Sequence, residues 1–256
     1  MIKCDFCGGL NSSPKKDKNG NLCCRFCGMA LNVEVPSADV WIEIFEKCKK
    51  AVCSIETTDK KSTYHATGWY IGNHLVVTNA HVLMKEYPSL TPELFKSFAL
   101  TFTSVDPENP LKAIPYGVDP ANDVGLLYIK NDKILEGCEL NIVEPDNLRI
   151  GQEIAAIGYP GLKSLDKQFN VSCLNGTIIA LDEPEDYMGL VKSEDAIRTS
   201  LHIHPGNSGS PLLNKDGNAI GIMYGANVGS TGVFYDQGLA RSHKVILNLI
   251  QESSKK

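Results

Sequence analysis

The chain has 256 residues, 43% hydrophobic and 21% charged, a balance that supports a sizeable buried core and excludes a disordered or fibrous protein. Its net charge of -5 at pH 7 and pI near 5.7 argue against a phosphate-neutralising surface, so nucleic acid is not the expected partner. No run approaches the roughly 20 apolar residues of a membrane span and the start lacks a signal-peptide core, so the expected location is the cytoplasm, without membrane contact.

Residues 1–36 read as a ribbon and its linker, because Cys4-Asp5-Phe6-Cys7-Gly8 and Cys24-Arg25-Phe26-Cys27-Gly28 are two copies of one knuckle. A Cys-x-x-Cys spacing brings paired thiolates to one ion, and two such pairs complete a tetrahedral site. The expected ligands are Cys4, Cys7, Cys24 and Cys27; Cys23 is spare because it breaks the spacing. Zinc suits this set best, and iron is the alternative. With every position taken by protein the metal is structural, contributing on the order of 10 kcal/mol to a segment too short to fold on apolar burial. Between the knuckles, Asn19-Gly20-Asn21 marks a turn joining ribbon strands. Five Lys/Arg against three Asp/Glu in residues 1–36 is too weak a bias to prefer nucleic acid over a protein partner. The scattered Cys48, Cys53, Cys138 and Cys173 have apolar neighbours and read as core residues, not as a disulfide framework.

From Ser37, a capping residue, a helix is predicted with Trp41, Ile44, Phe45 and Cys48 on one face. Beyond Lys50 the text turns to short β-rich runs broken by Gly, Pro, Asn and Asp, at 51–57, 68–71, 75–78, 99–103, 124–129 and 154–157. Further runs follow at 171–181, 196–203, 210–213, 219–224 and 232–235. So many short strands imply a sandwich or barrels. Residues 84–98 predict a helical insertion around Thr91–Lys96, and residues 242–252 a final helix with Val245 and Leu249 on one side.

The chemistry centres on Pro205-Gly206-Asn207-Ser208-Gly209-Ser210-Pro211, a serine exposed on a turn of small residues. Gly206 can take dihedrals closed to other residues, so the Gly206 and Ser208 amides can converge on a developing oxyanion. His81 follows the apolar run Leu75-Val76-Val77-Thr78, and Asp123 precedes Val124-Gly125-Leu126-Leu127, so both are polar groups at strand ends. A serine hydroxyl needs a base to take its proton, and an imidazole needs a carboxylate to hold its tautomer; the trio supplies one of each.

The order His, Asp, Ser resembles the trypsin-like serine peptidases, and the flanking words resemble their HtrA/DegP-type and V8-type branches. Ala66-Thr67-Gly68-Trp69 looks like the strand before the histidine, Gly158-Tyr159-Pro160 like the first turn of the second barrel, and Ile197-Arg198-Thr199 like the run into the nucleophile. The likeness covers about residues 38–252. It implies a mostly β fold in residues 37–252: two six-stranded antiparallel barrels, about 51–135 and 146–240, joined near 130–146. It also implies a serine endopeptidase acting on polypeptides through an acyl-enzyme, with His81, Asp123 and Ser208 as the triad. The pocket beside the nucleophile would be walled by His202, Ile203, Met223 and Tyr224. Glutamate-selective V8-type members carry histidine where Met223 lies, so the resemblance points to an apolar substrate side chain.

Two features bear on regulation. The N-terminus is committed to the ribbon and no residues follow Lys256 for a peptide-binding PDZ module, so control is expected through the ribbon, the loops or oligomerisation. The acidic stretch Asp182-Glu183-Pro184-Glu185-Asp186 lies where such enzymes carry a regulatory loop and also reads as a solvated surface loop. The alternatives to an endopeptidase are a catalytically silent binding module that keeps the cleft and a zinc-ribbon nucleic-acid adaptor.

Overall fold

The computed structural model describes residues 2–3, 10–11, 15–16, 22–25, 27, 38–58, 62–86, 89, 92–145, 147–161, 170–181, 195–228 and 234–255. They form two compact units, residues 1–42 and 43–256. In the first, β1 (Ile2–Lys3) pairs antiparallel with β2 (Leu10–Asn11), and β3 (Lys15–Lys16) with β4 (Leu22–Cys23). Cys24 follows β4 and is buried, whereas Cys27 is exposed. Cys4 and Cys7 lie outside the described residues, as does the acidic stretch 182–186. Among the described residues no group of three or more His, Cys, Asp and Glu side chains is placed to hold a metal, and no helix is long and apolar enough to cross a membrane. Helix α1 (Ala38–Cys48) buries Trp41, Ile44 and Cys48 at helical spacing and exposes Ile42.

The second unit holds two closed six-stranded barrels. The first is built from β5 (Val52–Thr58), β6 (Thr63–Tyr70), β7 (Leu75–Thr78), β8 (Phe98–Thr101), β9 (Leu111–Asp119) and β10 (Val124–Ile129), in the order β10-β7-β6-β5-β8-β9. The second uses β11 (Glu153–Gly158), β12 (Ser172–Ala180), β13 (Ala196–Thr199), β14 (Pro211–Leu213), β15 (Ala219–Val228) and β16 (Phe234–Ser242), in the order β11-β12-β13-β16-β15-β14. Closure gives each strand a neighbour on both sides, although β14 accompanies β15 only as far as Ile222. Each barrel has its own core: Cys53, Ile55, Val76, Leu100, Phe102, Leu127 and Ile129 fill the first. Ile154, Ile178, Ile197, Leu212, Ile220 and Met223 fill the second.

The fold is the expected one, with local corrections. Residues 84–98 form no helix among those described; Met84 instead pairs with Leu94 as an antiparallel bridge, and Phe95 N donates to Leu83 O at 2.9 Å. Thr91, the expected start of that helix, lies outside the described residues; from Pro92 on the helical pattern yields to pairing with residues 84–85, where Lys85 N donates to Glu93 O at 2.9 Å. Strand β9 is an addition to the expected runs. Its Pro115 and Gly117 read as strand breakers, yet they sit at a register shift where Leu126 opposes Gly117 and Leu127 opposes Pro115, leaving Tyr116 as the extra residue of a bulge.

Among the contacts that fasten the barrels to each other are those of Tyr159 and of the last helix. Tyr159, just past β11, donates its backbone N–H to Thr67 Oγ1 at 2.9 Å, while its hydroxyl lies 2.7 Å from Thr103 Oγ1. Burial pushes the Tyr159 phenol up to about 12. Helix α3 (His243–Ser253) follows β16 of the second barrel but also packs on β9 and β10 of the first. There a Cβ on Gly117 would collide with Ser253 Oγ. Ser242 caps α3 by accepting from Lys244 N at 3.4 Å.

Candidate active site

His81 lies in a one-turn helix, α2 (Ala80–Leu83), immediately after β7. Close packing holds that turn against β10, because Gly125 passes beneath it: a Cβ there would stand 2.6 Å from Leu83 Cδ1 and 3.0 Å from Asn79 O. Asp123 ends the turn between β9 and β10. Asp119 builds this turn, its Oδ1 accepting from the N–H groups of Ala121 and Asn122 at 3.1 Å each. It delivers Asp123 at φ 54, a left-handed conformation costly for a residue with a Cβ.

Three contacts hold Asp123 there. Its Oδ1 accepts from His81 N at 2.9 Å, its Oδ2 lies 2.7 Å from His81 Nδ1, and its carbonyl accepts from Asn79 Nδ2 at 2.8 Å. The carboxylate is 3% exposed and the imidazole 27%, so the pair is shielded on the aspartate side and open on the other. Burial opposes the imidazolium, but the charge of Asp123 and its hydrogen bond prevail and hold the His81 pKa above the ordinary histidine value.

Ser208 stands on two consecutive turns, closed by Asn207 N to His204 O and Ser210 N to Asn207 O, each at 3.0 Å. In the first, Pro205 precedes Gly206 at φ 97, the residue order and sign of φ of a type II turn. Gly206 and Gly209 are required sterically. A Cβ on Gly206 would collide with Tyr159 O, and one on Gly209 with Thr67 O. The loop is tied to its own barrel by Gly209 N to Met223 O and Met223 N to Ser210 O, both 2.9 Å, and by Gly161 N to Pro205 O at 2.6 Å.

The first barrel also grips the loop, through a residue that sequence reasoning does not single out. Thr67 on β6 donates from Oγ1 to Gly206 O at 2.7 Å, and its N–H donates to Ser208 O at 2.9 Å. Its carbonyl accepts from Thr78 Oγ1 at 2.8 Å, which links this grip to the strand leading to His81. The signal in the sequence is a threonine between alanine and glycine in a strand interior, where a hydroxyl must find partners.

A cleft of about 440 Å³ has Ser208, His81 and Asp123 in its wall, so the structure brings the three together. Of the four pocket residues expected on the second barrel, only Tyr224 lines it, with the Arg241 guanidinium carbon 4.5 Å from its ring centre. Met223 is fully buried and Ile203 is 9% exposed; both belong to the barrel core, and His202 is exposed. The rest of the lining comes from the first barrel and the 84–98 insertion, including Tyr64, Val82, Met84 and Phe95.

A family model of the trypsin-like peptidase domain matches residues 66–222. Protease Do-like 5, chloroplastic, of Arabidopsis thaliana is 32% identical over 193 residues, covering 72% of this chain and 55% of that protein. Serine protease Do-like HtrA of Bacillus subtilis is 29% identical over 153 residues, 59% of this chain and 30% of that one. The chain therefore spans 55% or less of the length of either relative. Among solved structures, the active form of the Rv3671c protease from M. tuberculosis matches with a TM-score of 0.64 at 19% identity, over 85% of this chain and 86% of that one. HtrA-type protease AlgW with tripeptide matches at 0.64 and 24% identity, over 82% and 62%. These structural matches are likenesses of fold. The family match includes His81, Asp123 and Ser208 and spans more than half of the chain, which belongs to the trypsin-like peptidase family.

Proposed function

We propose that the protein is a serine endopeptidase that cleaves polypeptides through an acyl-enzyme on Ser208. The observation that carries this reading is the Asp123 carboxylate 2.7 Å from His81 Nδ1, in the wall of the cleft that also presents Ser208. With Nδ1 engaged, Nε2 is the nitrogen that takes the Ser208 proton as Oγ attacks the scissile carbonyl, and it returns that proton to the leaving amine. Water then hydrolyses the ester by the same route in reverse. Asp123 holds the tautomer and stabilises the imidazolium, and the Gly206 and Ser208 amides receive the oxyanion. A fluorophosphonate, read by mass spectrometry, should add once to Ser208 and not at all to Ser208→Ala. Folded wild-type protein that takes no adduct would identify a silent binding module instead.

For the ribbon we infer a structural zinc ion on Cys4, Cys7, Cys24 and Cys27 and a docking role toward a protein partner. The repeated knuckle and the two short antiparallel pairs, β1–β2 and β3–β4, support this. Metal analysis should find about one zinc per chain, released on chelation. Protein prepared with ample zinc that carries none removes the ribbon from the account.

A further inference from the structure

Resting on the endopeptidase reading, we propose that the first barrel and its insertion form a selectivity pocket for a large apolar side chain on the leaving-group side of the scissile bond. The second barrel leaves little room for such a side chain among the described residues. Met223 and Ile203 turn into its core, where a Cβ on Gly238 would stand 2.9 Å from Met223 Cε and 2.7 Å from Ile203 Cγ1. The space beside Ser208 and His81 opens the other way, between Ile55, Tyr64, Ala66, Val82, Met84 and Phe95.

Direction follows from the strands. Strand β14 covers β15 only as far as Ile222. Met223 still bonds the Gly209–Ser210 turn on that side; from Gly225 on, among the described residues, the strand register pairs β15 with β16, and the opposite edge is where the acyl half of a substrate would join by strand addition. A chain entering along β15 and passing over Ser208 must leave across the facing wall, which is β6 with the insertion above it. The first residue of the leaving half therefore meets Tyr64, Ala66 and Val82.

The wall is largely apolar, with Thr57, His65 and Lys85 at its polar side. Phe95 is 7% exposed, pinned by its N–H on Leu83 O at 2.9 Å and packed against Phe98 with ring centres 6.2 Å apart. Tyr64, 46% exposed, leans on it at 5.6 Å. Of the charged and titratable groups lining the cleft, Asp123 is engaged by His81, the Lys85 ammonium is ion-paired with Glu93, and the His65 imidazole stands 3.7 Å from the Glu56 carboxylate. A charged side chain entering would give up water for no fixed partner, whereas an apolar one gains by burial.

Acyl transfer tests this whatever the natural substrate is. An activated ester acylates Ser208, and added amino-acid amides then compete with water. The amine nitrogen bonds to the acyl carbon, the Ser208 Oγ–acyl bond breaks, and the amine proton passes through His81 to Oγ. Phenylalanine amide and leucine amide should intercept the acyl-enzyme at least about tenfold better than serine or aspartate amide. Tyr64→Glu, at an exposed position, should bring that ratio close to one, and Tyr64→Phe should keep it. Indifferent partitioning in the wild type, or a ratio unmoved by Tyr64→Glu, overturns the pocket while the endopeptidase stands. Failure to acylate Ser208 at all overturns both.

Discussion

The two barrels share a six-stranded closed topology and differ in what their connections do. The first spends its strand ends on a charged pair: β7 delivers His81, and the turn after β9 delivers Asp123 in a left-handed conformation held by three hydrogen bonds. The second carries Ser208 on a glycine-bearing double turn, bonded to its own barrel at Met223 and Gly161 and gripped from across the interface by Thr67. One barrel is self-sufficient at the site; the other is braced from outside. Precision in the first comes from side-chain chelation, and in the second from sterically tight backbone.

Substitutions on either side of the interface sharpen this contrast. The largest effect should come from Asp123→Asn, which leaves the turn in place but removes the charge that fixes and raises His81, lowering turnover by about 10⁴-fold. The pH profile gives a second readout. Because an imidazolium cannot accept the Ser208 proton, activity is lost as pH falls through the His81 pKa, and that limb should lie above the ordinary histidine value of about 6.5 in the wild type. In Asp123→Asn the opposing effect of burial is left, so the limb should move to lower pH. A limb that stays put would separate Asp123 from His81 in solution.

Next comes Thr67→Val, which leaves Gly206 O and Tyr159 N–H without their Oγ1 partner in a buried setting. A cost of about 1–3 kcal/mol per orphaned group should lower the urea midpoint, and kcat should fall while KM changes little, because the loop bearing Ser208 loosens. An unchanged kcat would mean that the second barrel needs no external brace. The smallest effect should be Tyr159→Phe: loss of the contacts to Thr103 Oγ1 and Val52 O costs about 1 kcal/mol in denaturant unfolding, with turnover nearly intact.

Legibility in the sequence follows the range of the interactions. The Pro205–Pro211 turn and the apolar runs before His81 and after Asp123 are local patterns, and the fold they suggest is the one formed. Strand β9 escapes such a reading because its proline and glycine occupy a bulge whose existence depends on β10. The insertion escapes it because the Met84–Leu94 bridge overrides a helical pattern. Met223 belongs to the expected pocket wall, but the alternation of β15 turns it into the barrel core and leaves Tyr224 at the cleft. Thr67 is invisible as a brace because its partners lie 139 residues further along in the case of Gly206 and 92 in that of Tyr159.

Helix α3 carries a consequence for how the molecule is made. A growing chain releases all the strands of the first barrel long before residues 243–253, yet Gly117 is closed over by Ser253. Until that helix has emerged and docked, the Gly117 side of the first barrel stays wet. The barrel that bears His81 and Asp123 would thus be fully packed only after a helix encoded beyond the whole second barrel has docked on it.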